Sequence, residues 1–109
     1  CYAAKPNSFI IGSNGQLYKC TTALDEEVNH VGTLRADGQM VLDYDKLISW
    51  VTSGEETDPV CQNCFYRPAC QGNHCPWYRA LTGERPCPSE KTNIRKVLKL
   101  IWQNSLLDI

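Results

Sequence analysis

A chain of 109 residues, 42% of them hydrophobic, has the length and apolar content of one domain around one modest core. Its formal net charge of -1 gives no sequence-wide basic field, which argues against a nucleic-acid partner, and no run approaches the roughly 20 apolar residues of a membrane span. No basic-then-apolar signal segment opens the chain, so a cytoplasmic setting is expected.

Ser8 to Ile11 and Leu17 to Lys19 are short apolar runs around Gly12-Ser13-Asn14-Gly15, and Asn-Gly between such runs predicts a β-hairpin. Val31 to Leu34 and Met40 to Leu42 flank Arg35-Ala36-Asp37-Gly38, which predicts a second one. Asp43 can then cap a helix that turns Leu47, Ile48 and Val51 inward, with Trp50 on the same face, and stops at Gly54. Asp25, Glu26 and Glu27 read as solvated loop without a partner, and Gly54 to Pro59 as a polar connection.

The 27 residues from Cys61 to Cys87 hold five cysteines, three prolines and two glycines, a composition that excludes long regular elements. A short helix from Trp77 to Leu81 closed by Gly83 is the most this stretch can form, and its order has to come from something the cysteines share. After Cys87, Ser89 is placed to cap a long helix in which Ile94, Val97, Leu98, Ile101 and Trp102 recur at helical spacing. Lys91, Arg95, Lys96 and Lys99 fall on the outside of that helix, whose apolar face is expected to pack on the rest of the domain. The expected fold is small α+β: an N-terminal β-hairpin, a cysteine-rich region organised by metal, and a C-terminal helix.

The seven cysteines form two groups, Cys1 with Cys20, then Cys61, Cys64, Cys70, Cys75 and Cys87. Cys61-Gln62-Asn63-Cys64 lets one turn present two thiolates to one metal centre, but alone it fits a zinc knuckle, a redox dithiol or the corner of a cluster. A thioredoxin-type dithiol needs an uninterrupted helix after it, and Pro68 is against that. A structural zinc site is complete at four ligands and would leave three cysteines, too few for a second all-thiolate site. Disulfides, as in a secreted domain, would leave one thiol unpaired. Iron-sulfur chemistry accommodates the count, because a 4Fe-4S cluster sits on four thiolates, or on three with an iron that takes its ligand from elsewhere.

These residues resemble the SPASM domain, the auxiliary-cluster domain at the C-terminal end of radical SAM enzymes that modify peptides and proteins, and the likeness covers nearly the whole chain. Its signature opens with a cysteine, a spacer, a glycine and a cysteine beyond four further residues, matched by Cys1, Gly15 and Cys20. It continues with cysteines separated by two and then five residues, as Cys61, Cys64 and Cys70 are, then a fourth and a lone one, like Cys75 and Cys87. One departure is the loop Gln71-Gly72-Asn73-His74, four residues where the pattern has three; Gly72 can absorb the extra residue through conformations closed to other residues.

The resemblance implies one auxiliary 4Fe-4S cluster on Cys61, Cys64, Cys70 and Cys87, and a second on Cys1, Cys20 and Cys75 whose fourth ligand is, in fully ligated members, a cysteine shortly upstream of the first. Because Cys1 opens the chain without an initiator Met, residues 1–109 are expected to be a single domain cut from the C-terminal end of a longer radical SAM enzyme. The three-cysteine motif that binds the SAM-cleaving cluster is absent, so no catalytic residue is expected here, and SAM belongs to the catalytic domain of the parent chain. Expected partners are that domain and a peptide or protein substrate, without nucleic acid or membrane. The implied role is electron transfer or substrate positioning. The rival reading is a zinc-stabilised interaction module, and zinc is also the expected substitute in protein made in air. Among flanking residues, His74 and His30 are weighed as ligands, Lys19, Arg67 and Arg79 as charge balance or solvated cations, and Phe65, Tyr66, Trp77 and Tyr78 as cluster shielding or core filling.

Overall fold

In a computed structural model, which describes residues 1–52, 55–70, 72 and 74–105, the chain folds as a small α+β protein. Strands β1 (Ile10–Ile11), β2 (Gln16–Tyr18), β3 (His30–Leu34) and β4 (Met40–Leu42) form one antiparallel sheet in the order β1-β2-β3-β4. Both hairpins expected from the turn residues are present, with Ile11 opposite Leu17 and Thr33 opposite Val41. What links them is the β2–β3 pairing, which carries a bulge between Leu17 and Tyr18, just before Cys20.

Helix α1 (Tyr44–Thr52) follows, with Asp43 accepting from the Lys46 amide at 3.2 Å. Its buried residue is Trp50; Leu47 and Val51 are half-buried, and Ile48, expected to point inward, is exposed. The indole explains the difference, since its Nε1 donates to the Val28 carbonyl at 2.8 Å and so turns the helix about that anchor. The predicted stop at Gly54 lies outside the described residues. Ala3, Leu17, Val31 and Trp50 form the core, with Phe9, Cys20, Leu34, Leu42 and Trp77 packed against it.

The cysteine-rich stretch forms only short pieces, as its prolines and glycines require: α2 (Pro59–Gln62), α3 (Arg67–Cys70) and α4 (Pro76–Thr82). Gly83, at φ 72°, closes α4 in the left-handed conformation that favours glycine. Trp77 of α4 stacks on Trp50 with ring centroids 6.5 Å apart, which joins this half to the sheet half.

The last helix, α5 (Ser89–Ser105), forms where expected but starts at Ser89, whose hydroxyl bonds Glu90 at 3.3 Å instead of capping. Its apolar face is not covered. Ile94 and Val97 are half-buried, while Leu98, Ile101 and Trp102 are each more than half exposed. The helix therefore extends the molecule, and the Cα radius of gyration is 17.3 Å where a compact chain of this length has about 13 Å. No described helix is long and apolar enough to cross a membrane.

Candidate metal centre

Asp58 opens the cysteine-rich half. With Pro59 at the first helical position it caps α2, accepting from the Val60 amide at 3.0 Å. The same carboxylate accepts from Arg79 Nη1 at 3.2 Å and Arg85 Nε at 2.6 Å, and those guanidiniums hold its pKa well below the ordinary carboxylate range, Arg85 contributing most. One side chain thus ties α2 to α4 and to the strand of residues that leads into Cys87. Nothing in the local spacing of Asp58 announces this, because its partners lie 21 and 27 residues away.

From this knot four thiols are presented to one space. Cys61 ends near the close of α2, and the Cys64 amide bonds back to the Cys61 carbonyl at 3.2 Å, so the two-residue spacing makes a turn. Cys70 ends α3, and Cys87 sits between Pro86 and Pro88. Cys61, Cys64, Cys70 and Cys87 line a single cavity, partly open to solvent.

The rim of the cavity is cationic. Arg67, Arg79, Arg85 and Lys91 all line it, and Arg79 Nη2 reaches Cys61 Sγ at 3.4 Å. Cys64 has its pKa lowered, first by the Tyr66 amide pointing at its sulfur and then by the Lys91 ammonium. Lys91 is correspondingly raised by Cys64, with Cys87 and Cys61 adding to it. Of these cations, Arg67 and Arg79 are the two weighed from the sequence as charge balance. Arg85, two residues before Cys87, was passed over, and Lys91 turns toward the cavity instead of joining Arg95, Lys96 and Lys99 on the exposed side of α5.

Among the described residues, no three His, Cys, Asp or Glu side chains stand close enough to hold one metal ion. Zinc needs its sulfurs within about 2.3 Å of one centre, whereas an iron-sulfur cluster is met at its several irons by ligands spread around it. Four soft thiols with cations beside them are a donor set that suits a thiolate-bound cluster, whose negative charge the cations would offset.

Cys1, Cys20 and Cys75 come from three places. Cys1 precedes a single turn of 3-10 helix and lines a cavity with Tyr66, Cys70, His74 and Glu90. Cys75 caps α4, its sulfur accepting from the Tyr78 amide at 3.3 Å, and lines another cavity with His74, Arg85 and Cys87. Cys20 follows the bulge, its Sγ 3.1 Å from Thr22 Oγ1.

The residue that sets Cys20 is Asn29, which sequence reasoning passed over. Fully buried, it accepts from the amides of Lys19 at 2.9 Å and Cys20 at 2.8 Å and donates to the carbonyls of Cys20 and Ala23. Lys19 corrects both sequence readings. It is neither solvated nor at a thiol but buried, donating through Nζ to the carbonyls of Lys5 and Ser8 over the Phe9 ring, and burial lowers its pKa. It thereby fastens the segment after Cys1 to the strand before Cys20.

The remaining flanking residues separate by environment. His30 stacks on Tyr18 at 5.7 Å, Tyr66 lines the four-cysteine cavity, and Phe65 and Tyr78 are exposed, with the Tyr78 hydroxyl bonded to Glu84. Glu27, read as solvated without a partner, pairs with Lys46 at 2.7 Å. Gly72 has φ 70°, in the region that favours glycine; Gln71 and Asn73 of the same loop lie outside the described residues. Neither a family model nor a curated protein nor a solved structure matches this chain.

Proposed function

We propose that this chain is a SPASM-like auxiliary iron-sulfur domain of a radical SAM enzyme that modifies a peptide or protein, as a maturase of peptides or sulfatases does. The observation that carries the reading is the single cavity lined by Cys61, Cys64, Cys70 and Cys87 with Arg79, Arg85 and Lys91 on its rim. On this reading those four thiolates hold one 4Fe-4S cluster, and Cys1, Cys20 and Cys75 hold a second. Bound clusters would supply one-electron transfer at potentials set by their surroundings.

The chain's own residues supply the rest. Cys64 is biased toward the thiolate by the Tyr66 amide and Lys91, which favours metal ligation over the free thiol. Arg79, fixed by Asp58, directs a hydrogen bond at Cys61, and such bonds to a ligand sulfur raise a cluster's potential. SAM cleavage belongs to a catalytic domain of the same parent chain, and the setting is the cytoplasm.

The test is anaerobic reconstitution with iron and sulfide, followed by metal analysis. A brown protein containing both supports the reading, and a colourless protein that takes zinc in their place favours a zinc-stabilised module. The same preparation given SAM and reductant is expected to form no 5'-deoxyadenosine; reproducible turnover would overturn the assignment of SAM chemistry to another domain.

A further inference from the structure

Helix α5 begins at the candidate metal centre and runs out from it. Lys91 lines the four-cysteine cavity, and Arg95 and Lys99 follow it at four-residue steps, winding onto the exposed side of the helix. Beside this cationic row runs an apolar one, Ile94, Leu98 and Trp102, also at four-residue steps, with Ile101 at its edge. Ile94 is half-buried, whereas Leu98, Ile101 and Trp102 are 57%, 56% and 66% exposed. Arg95 and Lys99 make no hydrogen bond or ion pair among the described residues.

The charge of this face selects its occupant. Glu90, in the first turn, is the only acid of α5, so a second copy of the helix offers the cationic row no carboxylate along its length. The row borders the apolar stripe on one side, and Asn93, Leu100 and Asn104 border it on the other. A one-sided charged edge matches a helix that carries the opposite charge along one edge better than a lipid surface charged evenly in all directions. We propose that this face of α5 docks an amphipathic helical segment of the peptide or protein substrate, its apolar side chains on Leu98, Ile101 and Trp102 and its carboxylates on Arg95 and Lys99. The track from Lys91 to Trp102 is about 17 Å long, and because it starts at the cavity rim it leads a docked segment toward the four thiols. That the occupant is the substrate rests on the iron-sulfur reading above; that the face takes an acidic helix does not.

The probe is a dye-labelled synthetic helical peptide of about 18 residues, with leucines at helical spacing and glutamates along one border of them, beside a twin with lysine in place of glutamate. Fluorescence anisotropy with the anaerobically reconstituted 109-residue chain should show the glutamate peptide binding at least about tenfold more tightly than its twin, an advantage that shrinks with salt. Leu98→Ser should weaken that binding about tenfold at an unchanged melting temperature. The double variant Arg95→Glu with Lys99→Glu should reverse the preference between the two peptides. Equal binding of both, binding of neither, or a preference that survives the double variant overturns the docking face. So does a wild-type chain that ignores both peptides yet sediments with phosphatidylglycerol vesicles or dimerises through Leu98. Iron and sulfide analysis of the same preparation separates the two claims. A loaded chain that does not bind overturns the docking face alone, and a chain that takes up neither iron nor sulfide but binds the glutamate peptide keeps the face and overturns the substrate as its occupant.

Discussion

In the sheet half of the molecule, residues 1–52, order rests on apolar burial: Ala3, Leu17, Ala23, Val31 and Trp50 are buried around a four-stranded sheet. In the cysteine half, the described residues buried between 55 and 88 are Asp58, Pro76, Pro86 and Pro88, with no large apolar side chain among them. Helices of four to seven residues do not persist in water on their own propensity. This half is held by the Asp58 knot and by the Trp50–Trp77 stack, and on the proposed reading a cluster on the four thiols adds to them. A region can thus be placed without an apolar core where polar ties and a ring stack stand in for burial.

The comparison breaks first at the thiols. Alanine at Cys61, Cys64, Cys70 or Cys87 is expected to abolish protease protection of residues 59–88 in reconstituted protein while leaving the sheet half protected. Variants as resistant as wild type would mean that the cysteines contribute no structural site.

Next in size is Trp50→Ala, which removes a core side chain, the Val28 hydrogen bond and the contact with Trp77 at once. A loss of about 3–5 kcal/mol in denaturant unfolding is expected, with both halves affected. A variant that loosens one half alone would show that the stack does not couple them.

Asn29→Ala leaves two amides and two carbonyls without their side-chain partner. We expect a loss of about 2–4 kcal/mol, and amide hydrogen exchange should localise it to Lys19–Ala23. Reconstituted Asn29→Ala should also lose iron from the Cys20 site faster under chelation than from the four-cysteine site.

Asp58 gives a smaller, pH-dependent effect. Its pKa is depressed in the folded chain relative to about 3.9 when unfolded, so its contribution is fully present above that value and is lost as pH falls through the lower, folded value. Melting of the reconstituted protein is expected to decline with acid below about pH 4, and Asp58→Asn should flatten that decline. Identical acid profiles would remove Asp58 from its place in the knot. The smallest effect belongs to α5, where Leu98→Ser should change stability by no more than about 0.5 kcal/mol because the side chain is largely exposed.

What the sequence made legible follows the range of the interactions. Asn14-Gly15 and Asp37-Gly38 announce their hairpins, and Gly83 its helix end, because turn chemistry is local. That Cys61, Cys64, Cys70 and Cys87 belong together was an expectation from the resemblance alone, and the structure shows them lining one cavity. Their cavity depends on Asp58, Arg85 and Lys91, whose partners are remote in sequence. The helical spacing of Leu98, Ile101 and Trp102 gave an apolar face correctly but not what it faces, since periodicity specifies a stripe and not its cover.

The central claim is that the four-cysteine cavity holds a cluster, and the most direct measurement is iron, sulfide and zinc analysis with Mössbauer spectroscopy. It is made on wild type, Cys64→Ala and Cys20→Ala after anaerobic reconstitution and mild chelation. The cavity of Cys61, Cys64, Cys70 and Cys87 draws three ligands from ten residues, whereas the other site gathers Cys1, Cys20 and Cys75 from separate segments at a greater ordering cost. Wild type and Cys20→Ala should therefore retain a chelation-resistant site of about four iron and four sulfide, with Cys64→Ala losing it. A resistant cluster that survives in Cys64→Ala, or thiols filled by zinc with no sulfide in all three proteins, would contradict the account.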